Sequence, residues 1–131
     1  MKTFVEFRSR KFPPYEDEEE LINPGLWGKR LAEYLVQKLS AKGIETEDII
    51  AEDWGWYVPV KNEGFRLAIC CGHQSGDDDE FLCFTDPKTP VIKKLFRKID
   101  ATDQLNRLTS AMRDILAAEP EIRNVVWNEP S

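Results

Sequence analysis

The stretch whose reading decides the fold runs Ile50-Ala51-Glu52-Asp53-Trp54-Gly55-Trp56-Tyr57-Val58-Pro59-Val60, then Lys61-Asn62-Glu63-Gly64, then Phe65-Arg66-Leu67-Ala68-Ile69-Cys70-Cys71. Its even positions in the first limb, from Trp54 on, are Trp54, Trp56, Val58 and Val60. In the second limb Phe65, Leu67, Ile69 and Cys71 fall on one face. Period-two alternation of this kind marks strands with one buried face. The four residues between the limbs end in Gly64 and suit a hairpin turn. That turn length predicts Val60 opposite Phe65, Val58 opposite Leu67, Trp56 opposite Ile69 and Trp54 opposite Cys71, apolar on apolar throughout. The other face then carries Asp53, Tyr57, Arg66 and Cys70. Pro59 has no N–H to donate, so its side of the strand should be an open edge or a distortion.

Working outward, Gly72 to Asp79 reads as a polar loop and Phe81 to Phe84 as a third strand, which completes a meander. Upstream, Asn23-Pro24 supplies an N-cap and a first helical residue. Trp27, Leu31, Tyr34, Leu35 and Leu39 follow at helical spacing, and Gly43 closes the helix. Gly28 and Ala32 lie one turn apart, where small residues let a helix approach a sheet closely. Before this helix, residues 3–8 form a strand with Val5 and Phe7 on one face, followed by a loop containing Pro13-Pro14 and the acidic run Glu16 to Glu20. That run reads first as a solvated loop and second as a contact for a basic partner.

After Pro90, the residues Ile92, Leu95, Phe96 and Ile99 suggest a short amphipathic helix. Lys88, Lys93, Lys94, Arg97 and Lys98 lie on or beside it. A basic helical segment of this kind, Lys93–Lys98, can bind a membrane surface or an acidic partner, but its apolar stripe is needed for packing, which favours a core helix with a solvated basic face. A second helix covers about Ala101 to Ala118, capped by Asp100 or Thr102, with Leu105, Leu108, Met112, Ile115 and Leu116 inward. Ile122 to Trp127 is a final strand. The order β-α-β-β-β-α-α-β has too few helices for a doubly wound sheet. It predicts an α+β, two-layer fold: a mainly antiparallel sheet with helices on one face, as a single domain over 1–131.

Composition narrows the function classes. The chain has 131 residues, 41% hydrophobic and 32% charged, which is globular. A net charge of −6 argues against general nucleic-acid binding, which needs a basic footprint. No run approaches the roughly 20 apolar residues of a transmembrane segment, and the N-terminus lacks a signal-peptide core. Three cysteines, two of them adjacent, do not make a disulfide framework and point to a reducing, cytoplasmic setting.

Candidate chemistry is sparse. Cys70, Cys71, His73 and Cys83 are the soft ligands available, but neighbouring strand residues point to opposite faces, and spaced Cys-x-x-Cys pairs are missing, so no metal is expected. Cys70 has His73 three residues on, yet off the strand, which makes a poor nucleophile–base pair. The run Asp77-Asp78-Asp79-Glu80 lacks the alternation and glycine of a calcium loop. Glu52 and Asp53 diverge for the same reason as the cysteines and are poor partners for shared acid–base work. Trp54 and Trp56 match the core face. Their functional alternative is an aromatic recognition surface with Asp53, Tyr57 and Arg66.

No catalytic residue and no cofactor is expected on this reading. The leading expectation is a non-enzymatic protein-interaction module of bacterial-cytosol type, immunity-like or adaptor-like. It would bind another protein through an acidic and aromatic surface made of Asp53, Trp54, Trp56, Tyr57 and Arg66. The alternative is a small enzyme or ligand-binding domain on the sheet face around Asp53, Tyr57, Arg66 and Cys70. A homo-oligomer joined through a sheet edge is a third arrangement.

Overall fold

The computed structural model describes residues 1–21, 25–73 and 76–130. Six strands form one sheet: β1 (Phe4–Ser9), β2 (Ile50–Glu52), β3 (Gly55–Val60), β4 (Leu67–His73), β5 (Glu80–Asp86) and β8 (Ile122–Asn128). Their order across the sheet is β2-β3-β4-β5-β1-β8, and every neighbouring pair is antiparallel. Helices α2 (Lys29–Ala41) and α3 (Thr102–Ala118) lie side by side on one face, with a single turn, α1 (Glu18–Leu21), ahead of them. The fold is therefore the α+β, two-layer arrangement that the alternation and helical stripes predict.

Both helical stripes enter one core. Leu31, Leu35 and Leu39 of α2 and Leu105, Leu108, Met112 and Leu116 of α3 are buried against Trp56, Val58, Ile69 and Cys71 of the meander and Val5 and Phe7 of β1. The α2 C-terminus closes as a Schellman motif: Ile44 N–H donates to the Leu39 carbonyl and Gly43 N–H to that of Ser40, with Gly43 at φ 80°. At the other end the close approach expected of Gly28 is present. A Cβ there would lie 3.2 Å from the Cys71 carbonyl oxygen and from the Gly72 Cα. The expected helix start at Asn23-Pro24 lies outside the described residues; α2 itself begins at Lys29.

Several expectations are corrected. Ile50 to Val60 is two strands, not one. Asp53-Trp54 turns the chain between β2 and β3, and Gly55 adopts φ 151°, where an added Cβ would fall 2.4 Å from the Cys71 carbonyl oxygen. The next hairpin is shifted by two residues from the predicted register. Val60 pairs with Leu67, Val58 with Ile69 and Trp56 with Cys71, because the connection takes in Phe65 and Arg66 as well. A shift of two keeps Trp56, Val58 and Val60, and Leu67, Ile69 and Cys71, on the predicted core face, whereas Trp54, expected there too, sits in the β2–β3 turn and packs against Phe84 on the other side. Pro59 lies beyond the end of β2, and its carbonyl accepts Glu47 N–H on that side, so its missing N–H costs no ladder bond.

β4 has the expected length but starts and ends two residues later, closing on the buried His73, and β5 is longer than expected, reaching Asp86. The predicted basic helix at 92–99 is a β-hairpin of its own: β6 (Val91–Lys94) and β7 (Arg97–Asp100), joined by Leu95-Phe96 and hydrogen-bonded to no strand of the main sheet. Its base is tied in: Ala101 N–H donates to the Pro90 carbonyl, and Asp100 Oδ1 accepts from Thr102 N–H at the start of α3.

Candidate functional site: the sheet face away from the helices

With both helices on one side, the residues that alternate with the core positions project to the other. Tyr57 of β3, Ala68 and Cys70 of β4, and Phe84 of β5 form a second, smaller apolar cluster there. Phe4 of β1 stacks on Phe84 with ring centroids 5.0 Å apart. Trp54, from the β2–β3 turn, leans on the other side of Phe84 at 5.9 Å and stays 39% exposed. Lys88 caps the pair, 5.7 Å over Phe4 and 5.2 Å over Phe84, and Arg66 sits 5.3 Å over Tyr57. These cations are held by ring faces at a range where the aromatic quadrupole attracts them.

The Tyr57 hydroxyl donates to Asp86 Oδ2 at 2.7 Å. Burial, and then this bond to a carboxylate, push the phenol well above its ordinary range. Burial likewise pushes the Cys70 thiol far up, with Cys71 adding to the effect, so Cys70 stays protonated and is a poor nucleophile. Cys71 and Cys83 face the core, where their mutual hydrogen bond and burial raise the Cys71 thiol as well. All three cysteines are free.

Of the five residues picked out for binding, Trp54, Tyr57 and Arg66 come together on this face, and Asp53 stands in the turn beside Trp54. Trp56 does not join them. It is 4% exposed in the core, and its indole N–H donates to Glu18 Oε2 at 2.8 Å. Phe4, Phe84, Asp86 and Lys88 are the members that the sequence reading missed. The signal was present in β5, where Leu82 and Phe84 alternate with Phe81 and Cys83: a strand apolar on both faces covers something on each.

Glu18 corrects the solvated reading of the acidic run. Its side chain is 2% exposed. Besides the indole, Oε2 accepts the N–H groups of Gly28 and Lys29 at 2.7 and 2.9 Å, and Oε1 accepts Tyr15 N–H at 3.0 Å. The carboxylate thus caps α2 from ten residues upstream, in place of the missing local side-chain cap. Glu16, Glu19 and Glu20 remain exposed.

A cleft of about 860 Å³ lies at one end of the sheet, between the 8–14 segment and the 77–79 loop. Several of its charges are paired: Arg8 with Asp77 and Asp79 at 3.0 Å and with Glu80, and Arg123 with Asp79. Trp27 on its wall stacks 3.7 Å from the buried His73, whose two ring nitrogens face the Gly25 and Asp77 carbonyls at 2.6 and 2.8 Å. Both imidazole nitrogens are thereby engaged in holding loops together. Among the described residues no cluster of metal-ligating side chains is found, and no helix is long and apolar enough to cross a membrane. No known protein family, curated protein or solved structure matches this chain.

Proposed function

We propose that this chain is a protein-interaction module whose contact surface is the sheet face away from the helices. The observation that carries the reading is the aromatic set Trp54, Phe84, Phe4 and Tyr57 on that face, over which no helix packs among the described residues. Aromatic side chains flanked by Arg are the groups that dominate protein interfaces, since they offer large area at low entropic cost. Arg66, Lys88 and Asp86 supply polar groups around the rings, while Asp53 and Glu52 add acidity at the β2–β3 turn. The rival reading, an enzyme built on Asp53, Tyr57, Arg66 and Cys70, draws less support, because Cys70 is buried and held protonated and Tyr57 is committed to Asp86.

The test is site-specific photo-crosslinking in the native host. A photoreactive residue at Trp54 or Lys88 should trap one discrete protein, and one at Gln37 on the outer side of α2 should not. Phe84→Ser should abolish the crosslink made from Lys88 while the thermal melt stays cooperative. Equal labelling from all three positions, or none, would remove the proposal.

A further inference from the structure

The β6–β7 hairpin has a composition that neither turn geometry nor packing asks for. Its two-residue turn is Leu95-Phe96, and these side chains are 88% and 95% exposed. Two-residue hairpin loops favour Asn-Gly, Asp-Gly or Gly-X, because the favoured turns need positive φ. Leu95 and Phe96 supply none: neither adopts positive φ. Large apolar groups therefore occupy the apex at the expense of both turn propensity and hydration.

Directly behind them lie two cross-strand pairs of like charge, Lys94 with Arg97 and Lys93 with Lys98. Facing like charges destabilise a ladder. None of the four cations makes an ion pair among the described residues, and all four are exposed. Successive pairs point to opposite faces of a ribbon, so cations surround the apolar apex on both sides, on a chain whose net charge is −6. The pair behind them, Ile92 with Ile99, is half-buried, and Ile92 packs on the core. This anchors the arm, whose outer part spans roughly 10 Å with the turn, comparable to a physiological Debye length of about 8 Å.

From this we infer that the hairpin is a membrane-docking arm: Leu95 and Phe96 enter the acyl boundary of an anionic bilayer, and Lys93, Lys94, Arg97 and Lys98 bind its headgroups. A ring of cations around an apolar point fits a planar, penetrable, negatively charged surface. A protein groove would read one face of the ribbon and leave the opposite cation pair unused. Nucleic acid would be met by Leu and Phe at the apex, where base-reading ribbons present hydrogen-bonding side chains. The arm is separate from the aromatic sheet face and does not depend on the function proposed for it.

The experiment is co-sedimentation of the full chain with sucrose-loaded vesicles of phosphatidylcholine alone, or of two parts phosphatidylcholine to one part phosphatidylglycerol. The chain should pellet with the anionic vesicles only and be released as salt is raised from about 0.1 M to about 0.5 M. Leu95→Ser with Phe96→Ser should weaken partition at least about tenfold, and Lys94→Ser with Arg97→Ser should do the same. All four positions are exposed, so the melting temperature should be unchanged and a loss of binding cannot be a loss of folding. The inference is overturned if the chain ignores anionic vesicles, or if the Leu95/Phe96 variant binds them as well as the parent, leaving charge attraction alone. It is also overturned if a short DNA duplex or a polyglutamate peptide binds through these cations more tightly than the vesicles do.

Discussion

At the scale of single residues, Glu18 ties together three separate parts of the chain: Tyr15, the start of α2 and Trp56. A buried carboxylate is costly unless its oxygens are satisfied, and here four N–H donors meet it. Removing it strands three backbone donors and an indole, with the Gly28 N–H and the indole fully buried, and an orphaned buried donor costs about 1–3 kcal/mol. Glu18→Ala should therefore lower stability by about 2–4 kcal/mol in a denaturant melt. Glu18→Gln should cost less, since one acceptor oxygen survives, and the exposed Glu20→Gln should stay within about 0.5 kcal/mol. Equal effects at positions 18 and 20 would show that the cap contributes nothing. The sequence gives little sign of this difference: five acidic residues in a row look alike, and only the approach of Gly28, Lys29 and Trp56 from elsewhere in the chain distinguishes one of them. Trp56 was hard to place for the same reason. Its alternation marks the core side, but the partner for its indole nitrogen lies 38 positions away.

At the scale of elements, the apolar stripes were the most legible feature. Leu31 and Leu108 stand at helical spacing among polar residues, and both are essentially inaccessible. Leu31→Ala and Leu108→Ala should each cost about 2–5 kcal/mol by chemical denaturation, while Gln37→Ala on the exposed side of α2 should stay within about 0.5 kcal/mol. Mild effects at both leucines would contradict the two-layer packing. Residues 92–99 show where such reasoning fails. Ile92, Leu95, Phe96 and Ile99 fit a helical stripe as numbers, yet Ile92–Ile99 is a cross-strand pair and Leu95-Phe96 a turn. Short apolar patterns suit either period, and the usual marker of a hairpin turn, a glycine or an asparagine, has been replaced by two large hydrophobes. The strand break at Asp53-Trp54 was missed for a related reason: a two-residue turn inverts the alternation, so that Ile50 pairs with Tyr57, but β2 is three residues long and exposed throughout, too short to show the change of phase.

At the scale of the whole molecule, the two sheets should differ in stability. β4 and β5 are flanked by strands on both sides, whereas β6 and β7 bond only to each other. Opening the hairpin exposes little apolar surface, and opening β4 or β5 disrupts the core. In native-state hydrogen exchange the amides of β6 and β7 should exchange through local opening at low denaturant. Those of Ile69, Cys71 and Cys83 should exchange only with global unfolding. Comparable protection in both groups would mean that the arm is part of the cooperative core. Charge and composition mark the chain as acidic and globular, but they are averages: neither shows that four cations share one arm or that Phe4, Trp54, Tyr57 and Phe84 share one face.

The strand order also fixes a timetable. β1 lies inside the sheet, yet its two neighbours come much later in the chain: Phe4 sits beside Phe84 on one side and Asn128 on the other. At elongation rates of about 5–20 residues per second, β1 waits on the order of 4–16 s for β5, and longer for β8. Through that interval its backbone groups are unpaired, and Val5 and Phe7 have no core to enter. The meander can assemble by itself from local contacts, but the layer closes only after β8 is made, so a nascent chain spends most of its synthesis with an adhesive strand exposed. Chaperone demand for this protein should therefore be set by the distance between β1 and its partners, more than by its final stability.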